Sequence, residues 1–277
     1  MNEKKNSRVK SVFIAIGIFV LYIVTQTLTG AIGGMIGGAI AGLKGLDVKE
    51  SVIGLIPELT LIACIVSIII FGIWYYFGFV KKDIKADKYE SGITKMKDPG
   101  TRAFIVVLTL GMHFFVCLVG SLVGYLIPGS GEWLDSIMGM SVGENDIAGY
   151  LSVMLIAPIS EEIAFRGVML RKLKESFGFV GCVVITTVLF GIMHLNPMQS
   201  IYVLPMGVMF AYVAYKYDSV IPAIIAHILN NCVGIILPGI LGRNLKDLES
   251  AILFGIFIGI AAIIGNRMRL LKWRKAA

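Results

Sequence analysis

The stretch SVFIAIGIFVLYIVTQTLTGAIGGMIGGAI, residues 11–40, carries no Asp, Glu, Lys or Arg over 30 residues. A bilayer core about 30 Å thick is crossed by about 20 apolar residues in a helix, so this run can span with length to spare. It continues to about Leu43, far beyond the roughly 7–15 apolar residues of a cleavable signal, and reads as a retained anchor. Lipid offers no hydrogen bonds to the backbone, so the span must be a helix. Gly30, Gly34, Gly38 and Gly42 recur at four-residue spacing, with Gly33 and Gly37 beside them. Such a small-residue face suits close helix packing.

Similar runs recur to the end of the chain, and eight spans are predicted: 11–40, 57–80, 103–127, 147–170, 178–196, 198–215, 220–238 and 251–266. The expected fold class is an all-α, polytopic membrane protein of about eight helices. Two parts are expected: 1–102, with two spans and a cytoplasmic loop, and 103–277, with the other six. Composition agrees, at 57% hydrophobic and 16% charged residues against about 25% charged in a soluble domain. An even number of spans puts both termini on one side. With the N-terminus inside, 21 of the 25 Lys and Arg fall in cytoplasmic segments, leaving Lys44, Lys49, Arg243 and Lys246 outside. The 128–146 loop holds four acidic residues and no basic one. The positive-inside bias therefore makes both termini cytoplasmic. Read this way, the net charge of +7 reports topology, and no nucleic-acid partner is expected. With no organelle signal apparent, the pattern suits a bacterial plasma membrane. Cys64, Cys117, Cys182 and Cys232 lie within apolar runs, without metal-finger or CxxC spacing, and read as packing residues.

Several polar residues have ordinary explanations. Glu58 follows Pro57 in a helix's first turn, where a missing N–H and a negative charge both fit. His113 reads as a buried histidine bonded to a neighbouring helix, and the lysine-rich 81–102 segment as a solvated loop. What remains is Glu161, Glu162 and Arg166 on the fourth span, His194 on the fifth, and His227, Asn230 and Asn231 on the seventh. Each ionisable group near a span's centre costs at least ~2.5–3.5 kcal/mol on insertion scales. Glu161 and His194 lie 17 and 16 residues from Gly178, the expected turn of a helical hairpin, so they sit at about one level. Arg171 marks the interface about ten residues from Glu161, a depth of about 15 Å, and His227 is roughly 12 Å in from Ser219. Three helices thus bring polar groups to one layer. Glu162 and Arg166, four apart, can pair, while Glu161 is turned about 100° away. Pro158 cannot donate to the carbonyl of Met154, so the helix should open just before Glu161.

A carboxylate and a histidine converging in a low-dielectric site can deprotonate water. A second histidine and an amide on one helical face can donate to a developing oxyanion. Peptide-bond hydrolysis inside the membrane is one reading of this set, and an interhelical hydrogen-bond network holding the bundle together is the other. Two histidines and a carboxylate would also make an acceptable zinc set with one open position, but there is no HExxH. A proton-relay transporter would call for repeated, broken helices in paired positions, and no repeat relates the two halves.

At these residues the chain resembles the CPBP family, which includes CAAX prenyl proteases of the Ras-converting type and bacterial relatives linked to bacteriocin immunity. The EExxxR motif is Glu161-Glu162-Ile163-Ala164-Phe165-Arg166, FxxxH is Phe190 to His194, and HxxxN is His227 to Asn231. The motif-bearing core covers about 145–240, and HxxxN selects Asn231 over Asn230. The resemblance implies a glutamate-dependent intramembrane endopeptidase in which Glu161 and His194 activate water. His227 and Asn231 would form the oxyanion hole, with Glu162 and Arg166 supporting. It also implies a membrane-anchored protein or peptide as substrate and no cofactor, zinc being the disfavoured variant. Oligomeric state is left open. A non-catalytic bacteriocin self-immunity or scaffold protein is the alternative.

Overall fold

The computed structural model describes residues 2–88, 90–143 and 146–268, with side chains from Ser7 onward. Among the described residues there is no strand, as the all-α reading requires. In order come α1 (Asn2–Leu43), α2 (Val48–Gly54), α3 (Ile56–Tyr75), α4 (Pro99–Leu126), α5 (Ser130–Val142) and α6 (147–174). They are followed by α7 (Phe179–Ile192), α8 (Pro197–Tyr202), α9 (Leu204–Tyr217), α10 (Ile221–Leu241) and α11 (Asp247–Arg267). α3 continues through a π-helical turn at Tyr76–Val80 into Lys81–Lys85.

Five helices are long and apolar enough to cross a membrane: α1, α3 with its extension, α4, α10 and α11. The chain is a multi-pass membrane protein. The other three expected spans are built differently. α6 is helical throughout, but π-helical turns occupy Ser152–Ile156 and Ile163–Met169. α7 and α9 have 14 residues each, about 21 Å at 1.5 Å per residue, short of a core about 30 Å thick. The fifth span was expected to reach residue 196, but α7 stops at Ile192. Leu195 takes a left-handed φ of 52°, and the Asn196 side chain caps α8 by accepting from the Gln199 amide at 3.1 Å. Pro197 accounts for the break. It disfavours helical backbone at the residue before it and suits the first position of the next helix.

The glycine face of α1 is filled from within the chain. A Cβ on Gly38 would stand 3.3 Å from Val48 Cγ1, and one on Gly34 would stand 3.7 Å from Val52 Cγ1. α1 and α3 pack together and both reach α6. On the other side α4 packs along α11, where Phe114 stacks on Phe257 with centroids 5.7 Å apart. α7 packs against α9, and α10 against α4, α6 and α9. The hydrophobic core gathers on α6, α7 and α9, around Phe165, Phe190 and Phe210.

Two expectations need correction. The 81–102 segment is docked, not simply solvated. Asp83 pairs with Arg171, Lys95 donates to the Tyr217 carbonyl, and Gly92 is buried against Ser219 and Ile221. At its end Asp98 caps α4, accepting from the Thr101 amide at 2.6 Å, and hydrogen bonds from the Thr101 side chain and backbone hold its carboxyl below the usual range. Arg166, counted above as a topology signal, is 2% exposed inside the bundle. Without it the inside-to-outside split of basic residues is 20 to 4, so the bias stands.

The packing of α4 on α11 can be tested directly. A Cβ on Gly111 would lie 3.1 Å from the Ile258 amide nitrogen, a backbone atom that cannot swing aside. Gly111→Val should therefore force α4 and α11 apart at a cost of about 1–3 kcal/mol, seen as a lower melting temperature in detergent. Gly17, with open space around it, is the control for the same substitution.

Candidate active site

α6 supplies three charges by way of a helix that has been opened. Pro158 leaves the Met154 carbonyl without its usual donor, and the π-helical turn at Ser152–Ile156 sits just before it, where the sequence placed an opening. In the following turn Glu162 is fully buried. Its Oε1 accepts from Arg166 Nη1 at 2.9 Å and from His227 Nδ1 at 3.0 Å. Arg166 Nη2 donates to the Gly207 carbonyl at 3.1 Å, and the guanidinium lies 4.4 Å from the Phe190 ring centroid. Glu162 and Arg166 are thus one buried pair, as their spacing predicted.

Glu161 faces the other way, into a cavity of about 440 Å³. His194, His227 and Asn231 line the same cavity, with Phe190 and Phe210 between them. Residues placed at one depth by counting along three helices therefore share one chamber. The nearest histidine to Glu161 is His227, whose Nε2 lies 3.8 Å from Glu161 Oε2. His227 stacks on Phe210 with centroids 4.5 Å apart, so its ring plane is fixed as well as its Nδ1–H.

His194 lies in the turn just beyond α7 rather than within a continuous helix. Its Nδ1 is 2.9 Å from the Phe190 carbonyl oxygen. A carbonyl can only accept, so Nδ1 carries the proton and neutral His194 keeps a lone pair on Nε2. Asn231 Nδ2 donates to the Val153 carbonyl at 2.9 Å, and its Oδ1 accepts from Asn230 Nδ2 at 3.0 Å. One N–H of Asn231 remains for a ligand.

His113 is bonded to a neighbouring helix, as its isolation in the sequence suggested, with Nδ1 2.9 Å from Asn230 Oδ1. The sequence did not reveal that both residues also line the cavity. α5, drawn as an acidic loop, contributes Ile137, Met138 and Ser141 to its wall. Among the described residues no three His, Cys, Asp or Glu side chains converge as a metal-holding group. Chemically the chamber offers a carboxylate, the Nε2 atoms of two imidazoles and an amide donor, all within an apolar wall.

Residues 143–233 match the family described as type II CAAX prenyl endopeptidase, Rce1-like. The match covers about a third of the chain. The match takes in all seven motif residues, from Glu161 to Asn231, and bears out the resemblance read from them. His113 lies outside the matched residues. No curated protein and no solved structure matches the chain. Proteolysis of the CAAX type is the activity that the description of this family names.

The buried pair yields a test of stability that is separate from activity. Arg166→Met strands the Glu162 carboxylate away from water and should cost about 3–5 kcal/mol. Glu162→Gln combined with Arg166→Met removes both charges, and its melting temperature in detergent should exceed that of Arg166→Met alone.

Proposed function

We propose that the chain is an intramembrane endopeptidase that cleaves a peptide bond in a membrane-anchored protein or small membrane peptide. The observation that carries this reading is the convergence of Glu161, His194, His227 and Asn231 from α6, the turn after α7, and α10 on one apolar cavity. Glu161 takes one proton of a bound water, whose other O–H is held by the Nε2 lone pair of His194, as the water oxygen attacks the scissile carbonyl. The free N–H of Asn231 and a protonated His227 Nε2 donate to the resulting oxyanion. Glu162 orients the ring, because its carboxylate accepts from the opposite nitrogen. Arg166 holds Glu162 in turn. The proton taken from water then passes to the leaving amine, and the carbonyl re-forms. The reading needs no metal ion, since water activation is assigned to Glu161 and His194.

The orientation that goes with this reading has both termini in the cytoplasm and the substrate approaching within a bacterial plasma membrane. Whether the substrate is prenylated is a separate matter: the cavity's apolar wall suits any peptide with a lipid-like flank.

Membrane peptidomes of cells carrying the wild type or Glu161→Gln provide the test. Cleavage products should appear with the wild type alone. A folded Glu161→Gln protein with an unchanged peptidome and phenotype would overturn the reading in favour of a non-catalytic binding protein. Against a junction found this way, Asn231→Ala should lower kcat by about 10²–10³, the usual cost of one oxyanion donor. The wild type should keep its rate in a chelator, and a loss restored by zinc would show that the water is metal-activated.

A further inference from the structure

Two polar residues of the cavity, His113 on α4 and Asn230 on α10, are linked to Asn231 yet have no part in the proposed reaction. We propose that His113 is a positioning residue for Asn231, acting through Asn230, in the hydrolysis proposed above, on which this inference rests. Each link in the chain has its direction fixed by the one beside it. Val153 offers only a carbonyl, so the Asn231 group 2.9 Å away must be its Nδ2. That places Asn231 Oδ1 toward Asn230, which must answer with a donor, its Nδ2 at 3.0 Å. Asn230 Oδ1 is then left facing α4, where His113 Nδ1 meets it at 2.9 Å as an N–H.

An Asn side chain has nearly the same shape when turned by 180°, so packing alone does not choose which end is oxygen. The choice matters here. Asn231 must show nitrogen to a developing oxyanion, and an amide oxygen in the same place would repel it. Two bonds select the right face, one from Val153 and one from Asn230. Asn230 could itself turn over, and His113 prevents that. His113 is well placed to hold one state: it is 9% exposed, its ring stands edge-on to Phe114 with centroids 5.5 Å apart, and Gly234 leaves room for its Cε1. The other ring nitrogen lies 3.8 Å from Cys117 Sγ, a weak partner that does not compete for the tautomer.

The chain's three histidines make the first arm of the test spectroscopic. In ¹⁵N-histidine-labelled protein in nanodiscs, with signals assigned from His194→Asn and His227→Asn, neutral His113 should be protonated at Nδ1. An Nε2–H tautomer at His113 would overturn the relay, whatever the protein's activity. The second arm uses a fluorogenic peptide spanning the junction found by peptidomics. His113→Leu, which cannot donate, should lower kcat about tenfold, less than the loss of Asn231 itself, with KM within twofold. His113→Asn puts an N–H where Nδ1 was and should restore kcat to within twofold of wild type. Equal rates for His113→Leu and wild type, equal losses in the two variants, or a loss confined to KM would each overturn the positioning role. If the wild type cleaves nothing, the hydrolase reading fails and the positioning role fails with it, even if the histidine spectrum still shows the bonded chain.

Discussion

One carboxylate oxygen, Glu162 Oε1, holds the middle of this protein together. It accepts from Arg166 on its own helix and from His227 on α10, and Arg166 reaches on to a carbonyl of α9. The rings of Phe165, Phe190 and Phe210 close around the guanidinium. Taking two such ions out of water costs several kcal/mol each, so the pair contributes little as glue. Its effect is on register: sliding or rotating any of the three helices would leave a charge stranded. Glu161 is the beneficiary, since its direction follows from that of its neighbour.

Around that fixed point the chain departs from regular helix at the levels where its polar groups are needed. α6 widens on both sides of Glu161, α7 ends short, and α8 restarts after a left-handed residue. Irregular backbone at membrane depth is tolerated where it lines a cavity or is buried in protein. The long helices α1 and α11 stand outside this zone, while α3, α4 and α10 reach into it with Thr60, His113, His227 and Asn231.

Hydrophobic runs and helical counting made much of this legible. Bilayer physics leaves an apolar run few options, which is why α1, α3, α4, α10 and α11 fall where length and charge placed them. Glu161 and Glu162 were separable because 100° per residue sends them to different faces. Counting from Gly178 brought Glu161 and His194 to one cavity although His194 lies beyond its helix. The arithmetic was less informative where termination is a local choice: the stop at Ile192 depends on Pro197 and Asn196, five and four residues further on. His113 was within reach of the same counting, being eleven residues from Arg102 and so about 16 Å deep, level with Glu161. A lone histidine without a motif drew no such count. The docking of 81–102 could not be read, since ion pairs such as Asp83 with Arg171 join residues far apart in sequence.

The short length of α7 has a consequence for the imidazole beside it. In an uninterrupted α-helix the Phe190 carbonyl would receive the backbone amide of residue 194, four positions on. Here that amide turns to Gly191 instead, at 3.2 Å, and the released oxygen goes to the ring of the same residue. Main chain and side chain of His194 compete for a single acceptor. A segment regular enough to cross the bilayer without a break would hand that oxygen to the amide and leave the imidazole free to change tautomer. At this position a good transmembrane helix and a fixed proton acceptor are mutually exclusive, and the chain has taken the second.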